Sequence, residues 1–133
     1  MSLTESLVAG AVVSTVMAIA LPSVNSARKT YMLRHAAHEV ASGMQAARVS
    51  AITRNRDCRM SATSAVSYVV ECEDTAWQVV ERHTVPRGVT LEANARPEFH
   101  RRGNVSPTAT FTLRSDAGTV RVIVNVNGRV RLQ

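Results

Sequence analysis

The chain opens with a run of sixteen residues, 6–21, that carries no charged side chain. Together with residues 1–5 this run predicts a helix of about 32 Å at about 1.5 Å per residue, which is long enough to cross a bilayer. Its flanks differ from those of a secretory signal, because the first basic residue is Arg28, after the apolar run. We expect residues 1–27 to be a membrane-embedded half, and we infer that a short basic leader precedes Met1 and is removed.

Past Pro22, which breaks or kinks a helix interior, apolar residues recur in steps of three and four. This pattern is typical of an amphipathic helix and extends the N-terminal helix to about residue 54. The apolar side of this part of the helix must be covered. His35 and His38 fall outside the stripe and are interpreted as surface residues. The stripe consists of Leu33, Ala37, Val40, Met44, Ala47 and Ala51.

From residue 57 onward the period changes to two, which predicts short strands joined by turns. Strands so connected form antiparallel sheets, so the chain is predicted to be α+β, with a head over residues 28–133 that contains helix 28–54 and sheets over 57–133. The stretch 94–107 has few strand signals and is predicted to be a long, mobile loop. The candidate strands are 57–62, 66–73, 76–83, 88–93, 109–114, 119–126 and 129–132.

The strand pattern predicts how the two cysteines are placed relative to each other. A hairpin centred on Ala65 places Cys58 opposite Cys72 and Arg59 opposite Glu71. A disulfide there would close a loop of about 15 residues and stabilise the protein by roughly 3 kcal/mol in the chain-entropy model. An oxidising compartment outside the cytoplasm would preserve it. We expect the disulfide rather than two buried free thiols.

The charge of the chain is dominated by arginine. Lys and Arg number 16 against 10 Asp and Glu, and Lys29 is the one lysine among them. Residues 94–133 hold seven arginines against Glu98 and Asp116, a net charge of +5. The planar guanidinium matches phosphate and carboxylate, so an acidic partner is expected for the C-terminal part.

Sequence signatures of catalysis are missing. The chain contains no G-x-S-x-G, H-E-x-x-H, P-loop or G-x-G-x-x-G motif, and its six glycines are scattered singly. The sequence therefore predicts a protein that is not an enzyme and has no cofactor and no metal. Glu71, Glu73 and Asp74 are interpreted as a solvated acidic turn rather than a cation site.

The N-terminus, MSLTESLVAGAVVSTVMAIALP, resembles the processed N-terminus of type IV pilins and type II secretion pseudopilins. Met1, Glu5 and Pro22 match that signature residue by residue. The resemblance implies a methylated N-terminus and filament assembly, in which Glu5 meets the terminal ammonium of a neighbouring subunit. A local alternative stays open, since Ser2 and Glu5 also fit a helix capping box.

Three further segments narrow the resemblance to the GspH/FimT family of minor pilins and pseudopilins. They are A-R-x-x-A-I-x-R at 47–54, F-x-x-x-G at 99–103 and G-R-V-R at 128–131, with Trp77 alone in a strand between them. The resemblance implies a pilin fold, other pilin subunits as partners, and passage from the bacterial inner membrane to a periplasmic and cell-surface filament. One branch of the family is associated with DNA uptake and a G-R-x-R element, whereas the other serves protein secretion.

The basic C-terminal region gives the candidate DNA-binding residues. Arg129 and Arg131 are central, and Arg101, Arg102 and Arg121 are expected to contribute. A two-residue turn at residues 127–128 would put Arg129 and Arg131 on the sheet face opposite Arg121, whereas a longer turn would put all three on one face. The sequence leaves both registers open.

Overall fold

A computed structural model describes residues 2–133, which form one long helix and two antiparallel sheets. The α+β architecture expected from the sequence, one long helix with antiparallel sheets, is confirmed. The strands are β1 (Cys58–Ser64), β2 (Ser67–Glu73), β3 (Trp77–Thr84), β4 (Thr90–Ala93), β5 (Glu98–Phe99), β6 (Ala109–Ser115), β7 (Gly118–Val124) and β8 (Val130–Leu132).

Helix α1 spans Leu3–Thr53 and runs through Pro22 without interruption. It begins with the capping box, in which the Ser2 backbone donates to Glu5 Oε2 at 3.0 Å and the Glu5 backbone donates to Ser2 Oγ at 3.4 Å. It ends at Thr53 with Arg54 as the C-cap, and the next residue, Asn55, has a positive φ of 50° that turns the chain away from the helix.

The core lies between the second half of α1 and the inner faces of both sheets. All six apolar positions predicted for the helix stripe are buried, together with Ala36 and Ala41. Small alanine side chains let the sheets approach the helix closely, and the larger core side chains come mainly from the strands. These include Met60, Phe99, Phe111, Leu113, Val122 and Val124.

The first sheet has the strand order β3-β2-β1-β5 and the second the order β4-β6-β7-β8. In the β1–β2 hairpin Cys58 pairs with Cys72 and Arg59 with Glu71, the register that the sequence predicts. The two cysteines form a disulfide and are almost fully buried. Arg59 donates to Glu71 Oε2 at 2.7 Å and lies 4.1 Å from the centre of the Trp77 ring, so Glu71 is not a free acidic tip.

The prediction of a long, mobile loop over 94–107 is wrong. Its middle forms β5, which pairs with β1, and Phe99 also bridges to Val105. Pro97, Phe99 and Val105 are buried. The strand was missed because two residues are too few to show a period of two; the burial of single apolar side chains among polar neighbours holds the segment in place.

Candidate functional site

The first half of α1 is an exposed apolar rod. Its most hydrophobic stretch has a mean hydropathy of 2.1 and lies entirely on the surface, so α1 is long and apolar enough to span a membrane. Among the described residues no buried side chain precedes Leu33. An apolar surface of this length must be covered by lipid or by other helices.

Three residues of the N-terminal half were predicted to serve assembly. Glu5 lies on the first turn of α1, with its carboxylate bonded to the Ser2 backbone, and Pro22 lies inside the helix where the apolar run ends. Met1 lies outside the described residues. Glu5 is therefore available on an exposed helix end, with the capping box as its contact within the chain.

The turn between β7 and β8 decides where the C-terminal arginines lie. The Asn125 backbone donates to the Arg129 carbonyl at 3.1 Å, and the Arg129 backbone donates to Asn125 Oδ1 at 2.9 Å. Three residues therefore form the loop, and Gly128 within it has a φ of 75°. Ile123 consequently pairs with Arg131 and Val124 with Val130, which is the longer-turn register.

This register places Arg121, Arg129 and Arg131 on one face. Side chains directly opposite in an antiparallel pair share a face, and so do alternate residues along a strand. Val122 and Val124 point into the core, so Arg121, Ile123 and Arg131 point outward.

The neighbouring strand β6 extends the same outer face. Thr112 pairs with Arg121 and Arg114 pairs with Thr119, while Phe111 and Leu113 fill the core beneath. We call Arg114, Arg121, Arg129 and Arg131 the arginine face. The sequence reasoning did not select Arg114, although its alternation with Phe111 and Leu113 could have placed it outward.

Two shallow hollows run along the arginine face and share Ile123. One contains Arg129 and Arg131, and the other contains Arg114 and Arg121. Among the residues that line them, the described part of the chain contributes one acid, Glu92, and no aromatic ring. The face therefore offers guanidinium groups and hydroxyls for an anionic ligand but no platform for stacking.

Arg101 and Arg102 lie in a different place, on the tight turn that follows β5. The Arg101 backbone donates to Asp57 Oδ1 at 3.1 Å, and its guanidinium lies 3.6 Å from the same oxygen. Burial by itself raises the pKa of Asp57, but the Arg101 and His100 hydrogen bonds and charges outweigh it and lower that pKa below its usual value. Part of the charge of Arg101 is thus neutralised within the protein, although its side chain, like that of Arg102, is exposed.

Arg48 joins this turn to the β7–β8 turn, and sequence reasoning gave it no role. Its Nε donates to the Gly103 carbonyl at 2.9 Å. A Cβ on Gly128 would lie 2.6 Å from the same Nε and 2.7 Å from the Gly103 oxygen. The three short motifs of the sequence therefore meet at one contact, which we call the Arg48 clamp and which consists of Arg48, Gly103 and Gly128.

Comparison with known proteins identifies relatives of this arrangement. Residues 36–128 match the model of a family described as type II transport protein GspH. That match covers most of the second half of α1, strands β1 to β7 and the Arg48 clamp. No curated protein matches the chain.

Two kinds of solved structure share the fold. The type IV minor pilin FimU of Pseudomonas aeruginosa has a TM-score of 0.66 at 18% identity, over 79% of this chain and 90% of that one. The minor pseudopilin EpsH from the type II secretion system of Vibrio cholerae has a TM-score of 0.66 at 16% identity, over 76% of this chain and 95% of that one. At these identities the likeness establishes the fold.

Proposed function

Because the chain belongs to the family of the type II transport protein GspH, we propose that it is a minor pilin of a type IV pilus. It is held in the bacterial inner membrane by residues 1–27 before assembly and then joins a filament that passes through the periplasm to the cell surface. Other pilin subunits are its partners. The exposed apolar half of α1 supports this proposal, since lipid and neighbouring helices can each cover it in turn.

Glu5 is the proposed assembly contact. A carboxylate at the centre of a bilayer costs roughly 2.5–3.5 kcal/mol, and less near the interface, so its place at the start of an apolar rod needs a stabilising partner. The amine of Met1 in a neighbouring subunit would supply the opposite charge and offset the burial of both groups. Pro22 marks the point where the apolar run gives way to the head.

A pair of variants separates assembly from helix capping. Glu5→Ala removes both the carboxylate and the capping box, whereas Ser2→Ala removes the capping hydroxyl and keeps the carboxylate. We expect Glu5→Ala to lose incorporation into filaments and Ser2→Ala to keep it, as measured by immunoblotting of sheared filaments. Equal incorporation of the two variants would leave capping as the whole role of Glu5.

We further propose that the head binds DNA through the arginine face, without sequence preference, during DNA uptake. The observation that supports this most strongly is the register of β7 and β8, which collects Arg121, Arg129 and Arg131 on one surface. Guanidinium groups bond phosphate oxygens, and a surface without aromatic rings favours the backbone over the bases. Arg102, on the adjoining turn, would add to the contact, and Arg101 would contribute less because Asp57 holds it.

The test is DNA retention by the full chain in detergent at low salt. Arg129→Ala with Arg131→Ala should weaken binding to duplexes of unrelated sequence alike. Arg34→Ala with Arg82→Ala is the matched control, because it removes the same charge from exposed positions on α1 and β3. If both pairs lower retention equally, net charge rather than the arginine face is responsible.

The family model suggests a second candidate function, because it is described as a type II transport protein. In that case the chain is a structural pseudopilin of a protein secretion system, and its arginines contact neighbouring subunits instead of DNA. Unchanged DNA retention in the Arg129 and Arg131 double variant, with the head still folded, would favour this function.

A further inference from the structure

A cluster of three potential metal ligands lies at the junction of β1 and β5, away from the arginine face. Asp57 directly precedes β1, Glu98 begins β5 and His100 directly follows it. Cys58 pairs with Phe99 and both are buried, so the flanking residues Asp57, Glu98 and His100 point to the outer side. The pairing of the two strands therefore fixes the positions of all three side chains.

The spacing of the donor atoms fits a small divalent ion. His100 Nδ1 lies 3.4 Å from Asp57 Oδ2 and 3.7 Å from Glu98 Oε1, and all three donor atoms lie within 4.8 Å of one another. Bonds of about 2.0–2.1 Å in a tetrahedral zinc site place donors roughly 3.3–3.4 Å apart. The two distances from His100 Nδ1 are within a few tenths of an ångström of this spacing, and the two carboxylates would move closer together, from a separation of at most 4.8 Å, to bind one ion.

The composition of the cluster selects the class of metal. A ring nitrogen with two carboxylates suits zinc and its first-row neighbours, whereas calcium prefers six to eight oxygen ligands. The three side chains are between 18% and 32% exposed, so an ion can enter and water can complete its coordination. A bound ion would lie between His100 Nδ1 and the two carboxylates that this atom now faces.

Asp57 is oriented by a neighbouring contact, as is common for ligands of metal sites. Its Oδ1 accepts the hydrogen bond from the Arg101 backbone, which leaves Oδ2 directed at His100. The second carboxylate of the cluster is Glu98. Arg59 lies opposite it on the paired strand, but the Arg59 guanidinium is bonded to Glu71. Both carboxylates thus face the same ring nitrogen of His100, which gives a cation two anionic oxygens and one nitrogen at one point.

We propose that Asp57, Glu98 and His100 bind one divalent transition metal of the zinc class. The ion would tie the turn after β5 to the start of β1. That turn bonds Arg48 through the Gly103 carbonyl, so metal binding would stabilise the Arg48 clamp from its far side. The proposal is independent of whether the protein binds DNA or assembles into a filament.

The experiment is calorimetric titration of the full chain, without a histidine tag and freed of metal by a chelator, with zinc chloride. We expect one equivalent of zinc to bind. Cobalt(II) should bind the same site and give the visible absorption band that is typical of cobalt with few ligands. Calcium and magnesium should bind at least about tenfold more weakly than zinc. The thermal midpoint of unfolding should rise with zinc, because the ion binds the folded state.

Variants assign the site. His100→Ala and Glu98→Gln should each weaken zinc binding by about tenfold or more. His83→Ala is the matched control, because His83 lies 3.0 Å from Glu81 in an exposed pair that no third potential metal ligand of residues 2–133 joins. Glu98→Gln keeps the shape of its side chain, so it tests the site even if His100→Ala fails to fold. Absence of zinc binding, or equal weakening by His83→Ala, would overturn the proposal.

Discussion

Gly128→Ala tests whether the Arg48 clamp holds the head together. Gly128 has a φ of 75°, and its added methyl group would meet Arg48 Nε at 2.6 Å and the Gly103 oxygen at 2.7 Å. Both distances are far below van der Waals contact, and one of the two atoms belongs to the backbone. The substitution must therefore displace either the Arg48 side chain or one of the two turns.

The expected loss of stability has two parts. A left-handed backbone costs a residue with a Cβ roughly 1–2 kcal/mol. Displacing Arg48 forfeits a charged hydrogen bond to the Gly103 carbonyl, worth about 1.5–3 kcal/mol. The sum, about 2.5–5 kcal/mol, is a large part of the roughly 5–15 kcal/mol that stabilises an ordinary domain.

Gly88→Ala is the matched control for this measurement. Gly88 has a similar φ of 84°, but no heavy atom of the described residues, other than its chain neighbours, lies within 4 Å of its added methyl group. It should lose only the backbone part, about 1–2 kcal/mol. The assay is denaturant unfolding of the full chain in detergent, followed by the signal of Trp77. Equal losses for the two variants would refute the clamp, because the collision would then have no cost.

Three further predictions follow from the fold. Cys58→Ala with Cys72→Ala should lower the free energy of unfolding by roughly 3 kcal/mol under oxidising conditions, because the bond no longer restricts the unfolded chain; denaturant unfolding checks this, and an unchanged midpoint would contradict it. Burial, followed by the charges of Glu39 and Glu81, raises the pKa of Tyr68 from 10.0 to about 12. The unfolded state then releases its proton first, so stability should fall as pH rises above about 10, and this fall should shrink in Tyr68→Phe when midpoints are compared. A fragment of residues 28–133 should fold alone, since every buried core residue within 2–133 lies at Leu33 or beyond; circular dichroism should show cooperative melting, and a gradual melt would count against the proposed boundary.

Periodicity predicted most of the fold because most of the elements are regular. The helix stripe from Leu33 to Ala51 is buried as expected, and the pairing of Cys58 with Cys72 follows from the centre of its hairpin. Both are local consequences of spacing along the chain. The N-terminal half of α1 was equally predictable from the sequence, since a long uncharged run has few alternative structures.

Contacts between segments that are distant along the chain could not be predicted from the sequence. The β7–β8 register depends on the Asn125 side chain, which bonds the Arg129 backbone and selects a three-residue loop over a two-residue turn. The Arg48 clamp joins residues 55 positions apart, and the cluster of Asp57, Glu98 and His100 requires the pairing of β5 with β1. None of these arrangements has a period, so each became visible only in three dimensions.

The salt dependence of DNA affinity tests the proposed function of the arginine face most directly. Binding that neutralises about three to five phosphates should give a slope of roughly −3 to −5 for log K against log salt on duplex DNA. Arg129→Ala with Arg131→Ala should reduce the magnitude of that slope by about two, because each arginine accounts for about one phosphate. The control pair Arg34→Ala with Arg82→Ala should leave the slope unchanged. A slope near zero for the unaltered protein, or one that the Arg129 and Arg131 variant preserves, would contradict binding at this face.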